Sequence, residues 1–170
     1  MNYIALKLTD FMDGPGVRVA LYVSGCQLAI EGHPCKNCHN RISWDKNSGS
    51  LFTEETKKTI LEGLNHDYIA GFSLLGGEPF SSFNIEEEIK LLKEIKERFP
   101  NKDVWVWSGY YYDQIKKSEL LKYADYLVDG PFVEELKDIT LKFRGSSNQN
   151  IINLKEIRND SDRRRNLKEN

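Results

Sequence analysis

Val17-Arg18-Val19-Ala20-Leu21-Tyr22-Val23, running straight into Ser24-Gly25-Cys26, is the stretch on which the reading of the fold turns. Seven residues rich in β-branched and apolar side chains, closed by a Ser-Gly turn, read as a strand rather than a helix. Similar short runs recur at residues 3–8, 72–75, 104–107, 126–128 and 151–154. Longer stretches of helical spacing lie between them. Thr53 caps a helix over residues 54–64 and Asn84 a second over 85–99. In the second, Ile85, Ile89, Leu92 and Ile95 repeat at helical intervals, Glu86, Glu87 and Glu88 fill the positive first turn, and Pro100 follows the end. A third helix is expected over 113–122 and a weaker one from Val133.

Strands alternating with helices imply an α/β fold in which each helix is a crossover between parallel strands. Functional loops in such sheets gather at the carboxyl ends of the strands. Four loops would then share one edge. They are the cysteine loop after Val17–Val23, Gly76-Gly77-Glu78-Pro79 after 72–75, Ser108-Gly109-Tyr110 after 104–107, and Asp129-Gly130-Pro131 after 126–128.

The chain has 170 residues, 39% of them hydrophobic and 29% charged, enough for one core and too few for two ordinary domains. With 24 Lys and Arg against 26 Asp and Glu, a net charge of -2, bulk charge offers nothing to a nucleic acid and favours a protein or small-molecule partner. No apolar run is long enough for a bilayer, and the N-terminus lacks a basic-then-apolar leader, so a cytoplasmic, membrane-free protein is expected. From Lys155 to Asn170 the chain is almost wholly polar, with Arg163, Arg164 and Arg165, and is expected to fray, leaving residues 1–154 as the domain. Trp105 and Trp107, alternating with Val104 and Val106, read as core.

Cys26, Cys35 and Cys38 are an odd number gathered in one segment, which favours metal or redox chemistry over a disulfide scaffold. Eight residues separate the first two and two separate the last pair. Three soft ligands suit zinc or an iron–sulfur cluster. His33 or His39 could complete a Cys3His zinc site, whereas a four-iron cluster on three cysteines leaves one iron open to a substrate. Spacing alone does not decide between them. Paired glycines at Gly76 and Gly77 would let a ligand approach the backbone, with Glu78 as an acceptor, although an isolated turn of this kind is usually structural.

A three-cysteine loop followed by Gly76-Gly77-Glu78-Pro79 on the same sheet edge resembles the radical SAM superfamily. Met12-Asp13-Gly14-Pro15-Gly16-Val17-Arg18, Val23-Ser24-Gly25-Cys26, Cys38-His39-Asn40, Trp105-Val106-Trp107-Ser108-Gly109-Tyr110, Asp129-Gly130-Pro131-Phe132, Leu136-Lys137-Asp138 and Arg144-Gly145-Ser146-Ser147-Asn148-Gln149 narrow it. Together, from about residue 4 to 154, they resemble the anaerobic ribonucleoside-triphosphate reductase-activating proteins, with the last string the most specific.

The resemblance implies a truncated open (β/α) partial barrel with a mostly parallel sheet, and a 4Fe-4S cluster on Cys26, Cys35 and Cys38. S-adenosylmethionine would bind the open iron, its methionine end at Gly76, Gly77, Glu78 and Pro79, its adenine near Asn37, Cys38 and His39, and its ribose or carboxylate near Ser108 and Asp129. It further implies an oxidoreductase that leaves a glycyl radical on the anaerobic ribonucleoside-triphosphate reductase, fed by a flavodoxin-like or other one-electron donor. The family has three residues between the first two cysteines where this chain has Gln27 to Pro34, so no role is assigned to Gln27, Glu31 or His33. Arg18 and residues 144–149 read equally as partner contacts or as shapers of the sheet edge. The competing readings are another small radical SAM enzyme, such as a different glycyl-radical activase or one resembling 7-carboxy-7-deazaguanine synthase, and a non-catalytic Cys3His zinc module.

Overall fold

A computed structural model describes the backbone of residues 1–166 and side chains as far as Asp160; the last four residues of the expected frayed tail lie outside the described residues. The strands are β1 (Asn2–Asp10), β2 (Val17–Val23), β3 (Ser50–Leu51), β4 (Ile69–Gly76), β5 (Asp103–Trp107), β6 (Tyr126–Asp129) and β7 (Asn150–Asn153). The helices are α1 (Gln27–Ile30), α2 (Glu54–Leu64), α3 (Ile85–Arg98), α4 (Tyr112–Ile115) and α5 (Leu154–Asn166). Thr53 caps α2 as expected, its hydroxyl accepting from Thr56 N at 3.3 Å. The helix expected over 113–122 breaks into α4 and a 3-10 turn at Glu119–Lys122, and the one from Val133 is only the 3-10 turn Glu134–Leu136.

The strands form one open sheet in the order β3-β1-β2-β4-β5-β6-β7. The expectation of a mostly parallel sheet is corrected. β2, β4, β5 and β6 pair in parallel, but β1 with β2, β1 with β3 and β6 with β7 are antiparallel. The reason is chain length, since residues 11–16 are too few for the crossover that a parallel β1-β2 pair needs.

Because β2, β4, β5 and β6 advance in one direction, right-handed crossovers place their helices on a single face. There Val19, Leu21 and Val23 of β2, Phe72 and Leu74 of β4, Val104 and Val106 of β5 and Leu127 of β6 form one buried cluster with Ile60 and Leu64 of α2 and Leu91, Leu92 and Ile95 of α3. Each such side chain, fully buried, contributes roughly 1.5–3 kcal/mol. The alternate residues face away from the helices. Trp105 is buried as expected, but on this second face, stacked on Tyr126 at 4.7 Å and edge-on to Phe143 at 5.5 Å. Trp107 Nε1 donates to the Phe143 carbonyl at 2.8 Å.

Arg18 lies under the same layer, fully buried. It donates to Ser73 Oγ at 2.7 Å, to the Phe72 carbonyl at 2.9 Å and to the Pro15 carbonyl at 3.1 Å, and sits 2.6 Å from the Asp103 carboxylate. It shapes the amino-terminal end of the sheet and is unavailable to a partner. Past β7 the described residues of the expected tail are helical. α5 continues to Asn166, with Leu154 buried and Arg158 donating to the Leu121 and Ala124 carbonyls, both at 2.9 Å. Two apolar side chains, Leu154 and Ile157, packed with the core anchor an otherwise polar helix. No helix of the described residues is long and apolar enough to cross a membrane.

Two predictions follow from the buried charges. Arg18→Met should destabilise the fold by on the order of 3 kcal/mol, read as a lowered urea midpoint, because it strands the Asp103 charge. Glu88, fully buried beside Leu91 and Leu92, has no hydrogen-bond partner for either carboxylate oxygen among the described residues. Burial, with the nearby Glu78 charge second, holds its pKa well above the ordinary carboxylate value. A carboxyl so raised keeps its proton in the folded state after the unfolded chain has lost it, so stability falls as pH climbs above about 4.3. Glu88→Gln should flatten part of that fall, measured by urea melts at pH 4 and pH 8.

Candidate functional site at the carboxyl edge

The four parallel strands deliver their loops to one edge. At the end of β4, Gly76 adopts φ +123°, a conformation that excludes ordinary side chains, and the chain turns toward the loop after β2. Gly77 N donates to the Val23 carbonyl at 2.9 Å and Glu78 N to the Gly25 carbonyl at 2.8 Å. Gly77 has no room for a Cβ, which would collide with the Gly25 carbonyl oxygen.

Glu78 is buried, and its carboxylate is turned inward. Oε1 accepts from Ser108 Oγ at 2.8 Å and Phe80 N at 3.1 Å, and Oε2 from Gly109 N at 2.7 Å. Burial raises its pKa to about 7 in spite of these donors. The expected acceptor for a ligand thus joins the β4 loop to the β5 loop, with Ser108 as its partner and Pro79 buried beside it. Asp129, also buried, accepts from Tyr112 N at 2.8 Å and from the side chain and backbone of Asn150 at 3.0 and 3.2 Å. It fixes the end of β6 to α4 and β7 and does not touch the Glu78 network.

Cys26 stands half-buried at the start of α1, held from all sides. Its N–H donates to the Trp44 carbonyl at 3.1 Å, Gly25 N to the Ser43 carbonyl at 2.6 Å and Gln27 N to Ser81 Oγ at 3.1 Å. Asn84, expected to cap α3, makes no side-chain cap; its amide instead donates to the Ser24 carbonyl at 2.7 Å. Cys38 N donates to the Cys35 carbonyl at 3.2 Å, and Asn40 N to Cys38 Sγ at 3.4 Å. The Phe132 backbone N–H partly offsets the burial that raises the Cys35 thiol. Ser81 and Phe132 are supports that sequence reading missed, and Asn84 was read for the wrong task. Their only sequence signals were proximity to Gly76–Pro79 and to Asp129-Gly130-Pro131.

All three cysteines are free. Burial pushes the Cys26 thiol up to about 11 and the Cys35 thiol upward as well, with Glu78 and a neighbouring cysteine adding to each. Such thiols stay protonated at neutral pH until a metal displaces the proton. Among the described residues no three His, Cys, Asp or Glu side chains converge as a single ion would need. A cluster makes a different demand, since each cysteine binds its own iron. Three half-buried thiols on one loop suit that donor set. His39 is exposed, its ring 4.8 Å from that of Phe132, and Asn37, also exposed, accepts from Arg41 at 3.3 Å. The long segment between Cys26 and Cys35 is partly ordered as α1, whose Leu28 side chain packs on Gly109.

Residues 12–152 match the 4Fe-4S single cluster domain family, a span that includes all three cysteines and all four edge loops. The chain is 42% identical over 151 residues to the anaerobic ribonucleoside-triphosphate reductase-activating protein of Enterobacteria phage T4, covering 89% of this chain and 93% of that protein. It is 40% identical over 159 residues to the protein of the same name in Escherichia coli K12, covering 91% and 100%. The Haemophilus influenzae protein of that name is 38% identical over 159 residues, covering 91% and 99%. With likeness of this extent joined to three free thiols at the loop edge, the chain belongs to the family of anaerobic ribonucleoside-triphosphate reductase-activating proteins.

Proposed function

We propose that this chain activates an anaerobic ribonucleoside-triphosphate reductase by reductive cleavage of S-adenosylmethionine at a 4Fe-4S cluster ligated by Cys26, Cys35 and Cys38. The observation that carries the reading is the hydrogen-bonded union of the cysteine loop with Gly76-Gly77-Glu78-Pro79, through Glu78 N and the Gly25 carbonyl at 2.8 Å. Cys26, Cys35 and Cys38 would hold the cluster, which with S-adenosylmethionine bound would supply one-electron reductive cleavage of the sulfonium, the electron coming from a flavodoxin-like or other donor and the hydrogen atom from a glycine Cα of the reductase, where a glycyl radical would remain.

The protein's own part is position and exclusion of water. Gly76 and Gly77 let the β4 loop close on the backbone of Val23 and Gly25, and Glu78, held by Ser108 and Gly109, sets the shape of the wall that would face the methionine end. Asn37 and His39 stand on the adenine side, with the His39 and Phe132 rings as an aromatic surface. Ser108 and Asp129 have their side chains bonded within the fold, so in this reading they frame the ligand through Glu78 and the α4 start. We read the open sheet, with its crossover helices on one face, as a truncated barrel whose uncovered side receives the reductase, in the cytoplasm.

Anaerobic reconstitution should yield a coloured, iron-loaded protein, and adding reductant, S-adenosylmethionine and the reductase should give a glycyl radical signal by electron paramagnetic resonance. A colourless protein carrying only zinc would defeat the cluster assignment, and an intact cluster that gives no radical would defeat the substrate assignment. Serine in place of any one of the three cysteines should abolish the signal. Gly77→Ala should lower stability by about 1–3 kcal/mol, the usual cost of overpacking, and reduce iron content, because the loop must part from Gly25.

A further inference from the structure

The string Arg144-Gly145-Ser146-Ser147-Asn148-Gln149 is clasped on itself, on residues 130–133 and, through backbone bonds, on residues 136–138. Gln149, buried, accepts from Gly145 N at 2.9 Å and Ser146 N at 3.2 Å through Oε1, and donates to the Gly130 carbonyl at 3.0 Å through Nε2. Asn148 Nδ2 donates to the Pro131 carbonyl at 2.8 Å. The fully buried Ser146 accepts from Val133 N at 3.2 Å, and the Phe132 ring packs on Gly145. Four consecutive residues, 130 to 133, are thus each gripped by the string.

What they carry is the support of the second and third cysteines. The Phe132 ring lies 4.8 Å from that of His39, next to Cys38, and its backbone N–H works against the burial that raises the Cys35 thiol. Cys35 and Cys38 lie outside any helix or strand, so their placement depends on such contacts. With Gln149 and Ser146 buried, those side chains are not free to meet a partner.

We propose that Asn148 and Gln149 are positioning residues for Cys35 and Cys38, acting through the Gly130-Pro131-Phe132 backbone. The purpose of that positioning rests on the cluster reading above; the positioning itself does not. Cys26 is anchored separately, by Ser81, Trp44 and Asn84. The two ends of the cysteine loop therefore have independent supports, and weakening one should leave the other intact.

The full chain, free of cluster and reduced, is treated with iodoacetamide, and the alkylation rate of each cysteine is read by mass spectrometry. Asn148→Asp and Gln149→Glu keep shape but remove the amide donors and set a carboxylate against each carbonyl. Corrected for each thiol's ionised fraction, read from the pH dependence of its rate, Cys35 and Cys38 should then react roughly fivefold faster, the factor that one net hydrogen bond is worth, while Cys26 keeps its rate. Asn148→Ala, which only deletes the donor, should give the same pattern in weaker form and guards against a variant that fails to fold. Equal acceleration at all three cysteines would mean general loosening and would overturn the proposal, as would unchanged rates at Cys35 and Cys38. Iron uptake by the parent chain is measured in parallel, so a failure of the cluster reading registers there and leaves the alkylation result to judge the positioning.

Discussion

Everything at the functional edge hangs on a buried carboxylate. Glu78 is placed where water cannot solvate it, a cost that only protein donors can offset. Ser108 Oγ, Gly109 N and Phe80 N provide them, while its own N–H reaches back to Gly25. One residue thereby ties the loop after β4 to the loops after β2 and β5. The tie is possible because parallel register brings the strands out together, with Val23 beside Gly76 and Leu74 beside Val106. Sheet geometry sets the distance between loops, and the carboxylate locks it.

The two faces of the sheet serve that edge in different ways. Helices cover one face with aliphatic packing, the ordinary source of stability. On the other face Arg18, Ser73, Trp105, Tyr126 and Phe143 are held by directed contacts, and Ser73 Oγ also donates to the Asp13 carbonyl at 2.6 Å. Residues 11–16 are drawn onto the sheet by this network. A buried guanidinium is a costly way to pin a short link, and its justification is geometric, since it satisfies several carbonyls that a hydrophobic residue would leave bare.

Much of this was legible from the residues, and the part that was not has definite causes. β2, α2 and α3 carry their period in the side chains, so their positions could be read directly. Strand direction leaves no such mark. Of the antiparallel pairs, β1 with β2 was recoverable from the length of its link, whereas β6 with β7, joined by residues 130–149, was not. The helix expected over 113–122 fails at Lys116-Lys117-Ser118, three polar residues that interrupt the buried face between Ile115 and Leu120. In α5 two apolar residues spaced at three were outweighed by the charge around them. The cysteines and Gly76–Pro79 stood out because their chemistry is local. Ser81, Asn84 and Phe132 matter only through contacts with residues far away in the chain, such as Asn84 with Ser24, 60 positions apart.

Eight residues separate Cys26 from Cys35, and that length is not slack. Gln27 N is fixed to Ser81, the Gln27 amide bonds Glu31 at 2.7 Å across α1, and Leu28 rests on Gly109. The intervening residues therefore begin with a short helix lying on the β5 loop, and the entropy of closing a loop rises only with the logarithm of its length. Their place matters more. Cys26 is held from the β4 side, and the Phe132 ring from the β6 side packs beside Cys38 on His39, so the segment runs between two supported ends. Such a segment can lengthen without moving either end, so the eight-residue spacing does not by itself displace Cys26 or Cys35.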